Sequence, residues 1–126
     1  MRVFKSKRFA KFARKEPISD ASLCKAVKEA DAGMIDADYG SGVIKQRIAR
    51  PNEGKSGGYR SIILFRRGVR SFFVFGFAKS EQANIDASDE RDFKELARIL
   101  LAATDDELQK LIERHEFVKV VCHDED

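Results

Sequence analysis

Hydrophobic residues recur along this 126-residue chain with two different periods, and the places where the period changes mark its elements. Val3 and Phe4 open it as a short apolar edge strand. Ser6 can then cap a helix in which Phe9, Phe12 and Ala13 fall at i, i+3 and i+4 on one face, and Pro17 ends it. A second helix follows, with Ile18 and Ser19 as staple and N-cap and Leu23 placed to pack on Ile18. Leu23, Val27 and Ala30 form its buried stripe, and Gly33 supplies a left-handed stop. Residues 36–42, rich in acids and glycine, read as a turn region.

The period then drops to two. Val43–Arg50 alternates, with Val43, Lys45 and Arg47 on one side and Ile44, Gln46 and Ile48 on the other. Pro51–Gly58 reads as a long flexible connection, Tyr59–Phe65 as an apolar strand, Arg67-Gly68 as a tight turn and Arg70–Phe77 as an aromatic strand covered on both faces. A three-stranded antiparallel meander is the simplest topology. The helical period returns at Phe93, Leu96, Ala97, Leu100 and Leu101. Thr104-Asp-Asp-Glu107 is a capping box that opens a last helix carrying Leu108, Leu111 and Ile112. Phe117–Val121 adds a terminal strand, and the acidic tail 122–126 is expected to fray. The expected fold class is α+β, in one domain over residues 1–126.

Composition narrows the class without naming a function. The hydrophobic fraction of 43% is ordinary for a globular protein, while 36% charged is high. No apolar run approaches the ~18 residues that span a bilayer, and the basic N-terminus lacks the apolar stretch of a secretory signal. Cys24 and Cys122 show no Cys-x-x-Cys spacing, so two reduced, unrelated thiols and a cytoplasmic location are the expectation.

Charge changes the picture more. Residues 1–80 hold 18 Lys and Arg against 7 Asp and Glu, whereas residues 81–126 hold 6 against 14. The overall +3 therefore conceals a basic strand region joined to an acidic helical end. From Lys45 to Lys79 the only acid is Glu53. Such sorting points to a polyanionic partner, phosphate being the commonest.

Candidate chemistry concentrates in that basic centre. Gly54-Lys-Ser contains the closing letters of a nucleotide-binding P-loop, but Ala49 stands where the motif needs its first glycine and a strand follows rather than a helix, so that reading is rejected. Lys45 and Arg47 share a strand face, Arg60 begins the neighbouring strand and Lys79 ends the third. In a meander they can converge, and Arg60 in an apolar strand needs an anionic partner. Arg66, Arg67 and Arg70 read as hairpin-tip charges. The aromatic run Phe72–Phe77 reads mostly as core, with one ring near the strand end, Phe75 or Phe77, able to stack a base. His115 suits a helix C-terminus, His123 lies in the tail, and neither supplies a metal site or a histidine acid–base pair.

Val43-Ile-Lys-Gln-Arg-Ile-Ala-Arg50, Gly54-Lys-Ser-Gly-Gly-Tyr-Arg60 and Phe72-Phe-Val-Phe-Gly-Phe-Ala-Lys-Ser80 together resemble the RelE/HigB group of bacterial toxin–antitoxin toxins, narrowed to the branch with the Lys-Ser-Gly-Gly-Tyr-Arg and Phe-Ala-Lys-Ser segments. The resemblance implies a small α+β fold with helices on a twisted, mainly antiparallel sheet of four to five strands. It also implies a ribosome-dependent mRNA endoribonuclease, a translation inhibitor silenced by a cognate antitoxin that often carries a helix-turn-helix, with no cofactor and no metal. Carried over by position, Arg60, Lys79 and Lys45 become the catalytic candidates. Arg47, Arg50, Lys55 and Phe77 become RNA-binding candidates. Ala78 stands where some relatives have histidine, and a general base is not evident, Glu81 being the nearest candidate.

The chemistry so implied is attack of a 2′-hydroxyl on its neighbouring phosphate, giving a cyclic phosphate, with cations stabilising the charge that builds on the phosphoryl oxygens. A non-catalytic nucleic-acid- or ribosome-binding module explains the charge equally well. A relative of the fold acting on another target, such as a topoisomerase, is a third reading.

Overall fold

The structure, a computed structural model, describes residues 1–50, 54–82 and 84–122, with the side chains of residues 50 and 54–57 outside that description. Four helices and six strands follow one another as β1 (Arg2–Ser6), α1 (Lys7–Lys15), α2 (Asp20–Asp31), β2 (Ala37–Gly40), β3 (Val43–Arg50), β4 (Gly54–Arg66), β5 (Arg70–Ala78), α3 (Ala87–Leu100), α4 (Asp105–Glu113) and β6 (Phe117–Lys119). One mixed sheet holds all six strands in the order β2-β3-β4-β5-β1-β6. The α+β class and the central β3-β4-β5 meander agree with the sequence pattern.

Each helix starts where a short polar side chain can take up an orphan N–H. Ser6 accepts from Phe9 N, Ser19 from Ser22 N and Asp86 from Asp89 N. Thr104 and Glu107 close the expected capping box. Gly33, at φ +93°, takes the left-handed position after α2.

Other expectations need correcting. β1 is not an edge strand: it lies between β5, to which it runs parallel, and β6, to which it runs antiparallel. The 36–42 stretch is not only a turn, because Ala37–Gly40 forms β2 and pairs with β3. Gly40, Ser41 and Gly42 all have positive φ, and this reverses the chain tightly enough to make the hairpin. Residues 54–58, read as part of a flexible connection, already belong to β4. The sheet thus has six strands rather than four or five. The terminal strand stops at Lys119, short of Val121.

Both faces of the sheet are buried. On one, α1 and α2 pack through Phe9, Ala13, Leu23 and Val27 against Ile44, Ile48, Tyr59, Ile63 and Phe73. On the other, α3 and α4 pack through Phe93, Ala97, Leu100 and Leu108 against Val43, Ile62, Leu64, Phe72, Val74 and Phe77. This double burial is why β5 reads as a nearly unbroken aromatic run. A bulge interrupts its alternation: Ile62 pairs with Phe75 but Ile63 pairs with Phe73, leaving Val74 extra. The shift aims Phe75 and Phe77 toward α3 and turns Gly76 to α1, where any Cβ would run into the Phe12 ring.

Cys24 and Cys122 form a disulfide, with Cα atoms 5.7 Å apart, against the expectation of two free thiols. The register that places β6 beside β1 carries the following residues back over α2, where Asp20 Oδ2 also accepts from Val121 N at 3.2 Å. Cys122 is therefore tethered rather than frayed, and His123 and the rest of the acidic tail lie outside the described residues.

Candidate functional site

The basic residues of β3 and β4 meet at one carboxylate. Arg47 and Arg60 are direct cross-strand partners, and Lys45 stands two residues along β3 on the same face. Two guanidinium groups directly opposite one another repel. Asp36, immediately before β2, relieves this. Its Oδ1 lies 3.1 Å from Arg47 Nε, and its Oδ2 lies 3.6 Å from Arg60 Nε and 3.9 Å from Lys45 Nζ. The expected anionic partner of Arg60 is thus present within the chain. One carboxylate against three cations still leaves the cluster positive.

Asp36 is itself held in place. The buried Gln46 side chain accepts from Asp36 N at 3.1 Å and donates to Met34 O at 2.8 Å and to Ala26 O at 3.1 Å. One side chain thereby ties the end of α2 and the approach to β2 onto β3. All the polar atoms of that buried amide are satisfied, so it costs little and specifies the loop.

Exposure sorts the cations into two groups. The Arg60 and Lys45 side chains are 7% and 14% exposed, while Arg47 is 48% exposed. Arg47 is the member open to a ligand, and Arg60, which also donates to Tyr59 O at 3.5 Å, supports it from beneath. Lys79 and Glu81 lie in the exposed turn after β5. Lys79 follows Ala78, the partner of Tyr59, and so belongs to the same end of the sheet as Arg60. The structure therefore brings Lys45, Arg47 and Arg60 together and leaves Lys79 at their end of the sheet, outside the ion pairs seen among the described residues. The side chains of Arg50 and Lys55 fall outside the described residues.

Two aromatic and arginine expectations change. Phe77 is buried at 3% exposure, packed on Phe75 at 5.7 Å between ring centres, so it does not present a face for stacking. Phe75 is the half-buried ring, and the Arg8 guanidinium lies over it at 4.4 Å. Arg66 and Arg70 are more than hairpin-tip charges. Arg70, buried in the sheet, donates to Leu100 O and Ala103 O at 3.1 and 2.8 Å, and Arg66 donates to Leu101 O at 3.3 Å. They satisfy carbonyls at the C-terminus of α3, where cations are favoured.

The sequence reading missed Asp36 and Tyr39. The signal available was Gly-Ser-Gly at 40–42 directly before an alternating strand, a hairpin pattern that would have placed both residues beside Lys45. Tyr39 donates a hydrogen bond to Asn84 Oδ1. Burial, and then the Glu90 and Asp36 carboxylates, raise its phenol above the ordinary value of 10.0. At neutral pH it is an uncharged donor beside the cluster. The neutral form is favoured by the folded state, so the stability Tyr39 contributes is complete below pH 10.0 and is lost as pH rises through its higher folded value. An ultraviolet titration of the parent minus that of Tyr39→Phe should isolate a phenol that ionises above pH 10.0. A difference curve with its midpoint at or below pH 10.0 would contradict the assignment.

Fold and site define a small α+β protein whose sheet gathers cations, under one aspartate, at a single end. The chain belongs to the RelE toxin family: the family model described as RelE toxin of the RelE/RelB toxin–antitoxin system matches residues 1–120. Membership gives the chain a toxin's role and an antitoxin partner. Comparison with curated proteins returns no match. Among the described residues no helix is long and apolar enough to cross a membrane, and no group of His, Cys, Asp or Glu is arranged to hold a metal ion.

Proposed function

We propose that this chain is a ribosome-dependent mRNA endoribonuclease of the HigB-like branch, silenced by a cognate antitoxin with a helix-turn-helix. The observation that supports this reading best is the convergence of Lys45, Arg47 and Arg60 on Asp36, an arrangement that fixes guanidinium groups and keeps a positive excess at the rim. A phosphodiester is the ligand such a rim suits, since arginine forks match phosphate oxygens.

The reaction is transfer of the phosphoryl group from the 5′-oxygen to the neighbouring 2′-oxygen. The 2′-oxygen loses its proton and forms a bond to phosphorus, the bond from phosphorus to the 5′-oxygen breaks, that oxygen takes a proton from water, and a 2′,3′-cyclic phosphate results. Arg47, with Lys79 from the adjoining turn, stabilises the charge that builds on the phosphoryl oxygens, and Arg60 and Lys45 set the local potential from below. Glu81, in that same turn, is the carboxylate assigned to take the 2′-hydroxyl proton.

Expression of the chain alone in bacteria, followed by mapping of mRNA ends, tests the reading. New codon-linked ends carrying cyclic phosphates are expected, and co-expression of the antitoxin should abolish them. Growth arrest without new ends would favour a non-catalytic binder, and a DNA-damage response would favour a topoisomerase-directed relative of the fold.

A further inference from the structure

α1 carries a cationic face that the cluster around Asp36 does not use. Lys7, Arg8, Lys11, Arg14 and Lys15 occupy its exposed positions, and the helix contains no acid. Among the described residues, none of the ion pairs reaches any of these five. Arg14 and Lys15 stand in the last turn, where a cation suits the helix dipole. Lys7 and Arg8 stand in the first turn, at the positive end of the helix dipole, and cations there are unfavourable unless an outside anion joins them.

α1 packs on the other face of the sheet from the cluster, and its first turn comes round the sheet toward the site. β1 runs parallel to β5, with Lys5 opposite Phe73, and passes directly into α1, so the helix begins beside the half of β5 that leads on to Phe77, the partner of Arg60. The Arg8 guanidinium over Phe75, and Phe75 on Phe77, bridge the two regions. The nine residues of α1 span about 13 Å, enough to meet successive phosphates of a strand. With every exposed position basic, the face offers no apolar anchor of the kind a protein interface needs, and it matches a sugar-phosphate backbone.

We propose that this face of α1 is a second docking surface, which grips the backbone of the substrate RNA beside the cleaved bond. The inference rests on the RNA-cleavage reading above. The test uses the full chain and its Lys7→Ala/Lys11→Ala/Arg14→Ala variant, with cleavage of a ribosome-bound message followed across a range of salt concentrations. The variant should keep kcat, raise KM about tenfold or more, and lower the slope of log KM against log salt by about 2, at roughly 0.7 per lost phosphate contact. The charge-preserving variant Lys7→Arg/Lys11→Arg/Arg14→Lys should behave as the parent. On a message trimmed to the few nucleotides around the cleaved bond, parent and alanine variant should have equal KM.

Equal KM and salt slope on the long message would overturn the docking surface while the cleavage reading stands. So would a difference that persists on the trimmed message, or a variant that cuts like the parent but loses its antitoxin. A parent chain that leaves RNA uncut would overturn the cleavage reading, and this inference with it.

Discussion

Asp36→Ala is expected to lower kcat for RNA cleavage by about 10²-fold, the usual consequence of displacing a positioned group by about 1 Å, while KM stays level or falls. The sign of the split follows from the geometry. The carboxylate holds Arg47 Nε and Arg60 Nε, cross-strand partners that otherwise repel. Without it the guanidinium groups spread among their rotamers, and the transition-state contacts lose their alignment. The same change removes one negative charge from a cationic rim, so attraction for a polyanion does not weaken. Asp36→Asn keeps the shape and one acceptor and should fall between parent and alanine variant. Asp36 is thus a positioning residue that works through Arg47 and Arg60. Steady-state kinetics on folded protein decides the matter: a rise in KM at unchanged kcat would show that Asp36 does not align the arginines.

Cys24→Ser is expected to cost about 2–5 kcal/mol of unfolding free energy, the range for loss of a native disulfide. The bridge spans a separation of 98 residues, so it removes much of the freedom of the unfolded chain. It also anchors the residues after β6 to α2, beside the Val121–Asp20 hydrogen bond. Urea unfolding with and without reductant measures the effect. The parent should drop to the level of the variant on reduction, and the variant should not respond. If reductant left the parent unchanged, the bridge would not contribute to stability.

Much of the fold was legible because local signals and global packing agree. Ser6, Ser19 and Thr104 announced their helices, and the alternation of Val43–Arg50 announced a strand with its cations on one face. β2 was hidden because it is only four residues long: Ala37 and Tyr39 alternate with the exposed Asp38 and Gly40, too short a run to stand out beside the turn residues that follow. The parallel place of β1 beside β5 was hidden for a different reason: strand order in a sheet is a matter of long-range pairing, and Val3-Phe4 reads alike at an edge or in the interior. Phe77 was a stacking candidate only by its place near the strand end; what excludes it is tertiary, since a one-residue bulge opposite Ile62 and Ile63 turns it toward α3, where it packs on Phe75 and is covered.

For the site, the amino-acid order alone determined which residues carry charge, that Lys45 and Arg47 share a face, and that an arginine in an apolar strand must find an anion. These follow from side-chain chemistry and from the two-residue repeat of any strand. Only the tertiary structure decided that the anion is Asp36, that Arg60 is covered while Arg47 is open, and that Cys24 lies within reach of Cys122. Those outcomes depend on register and on the order of strands, which bring together residues far apart in the chain, and no local pattern of hydrophobic and polar positions encodes such distances.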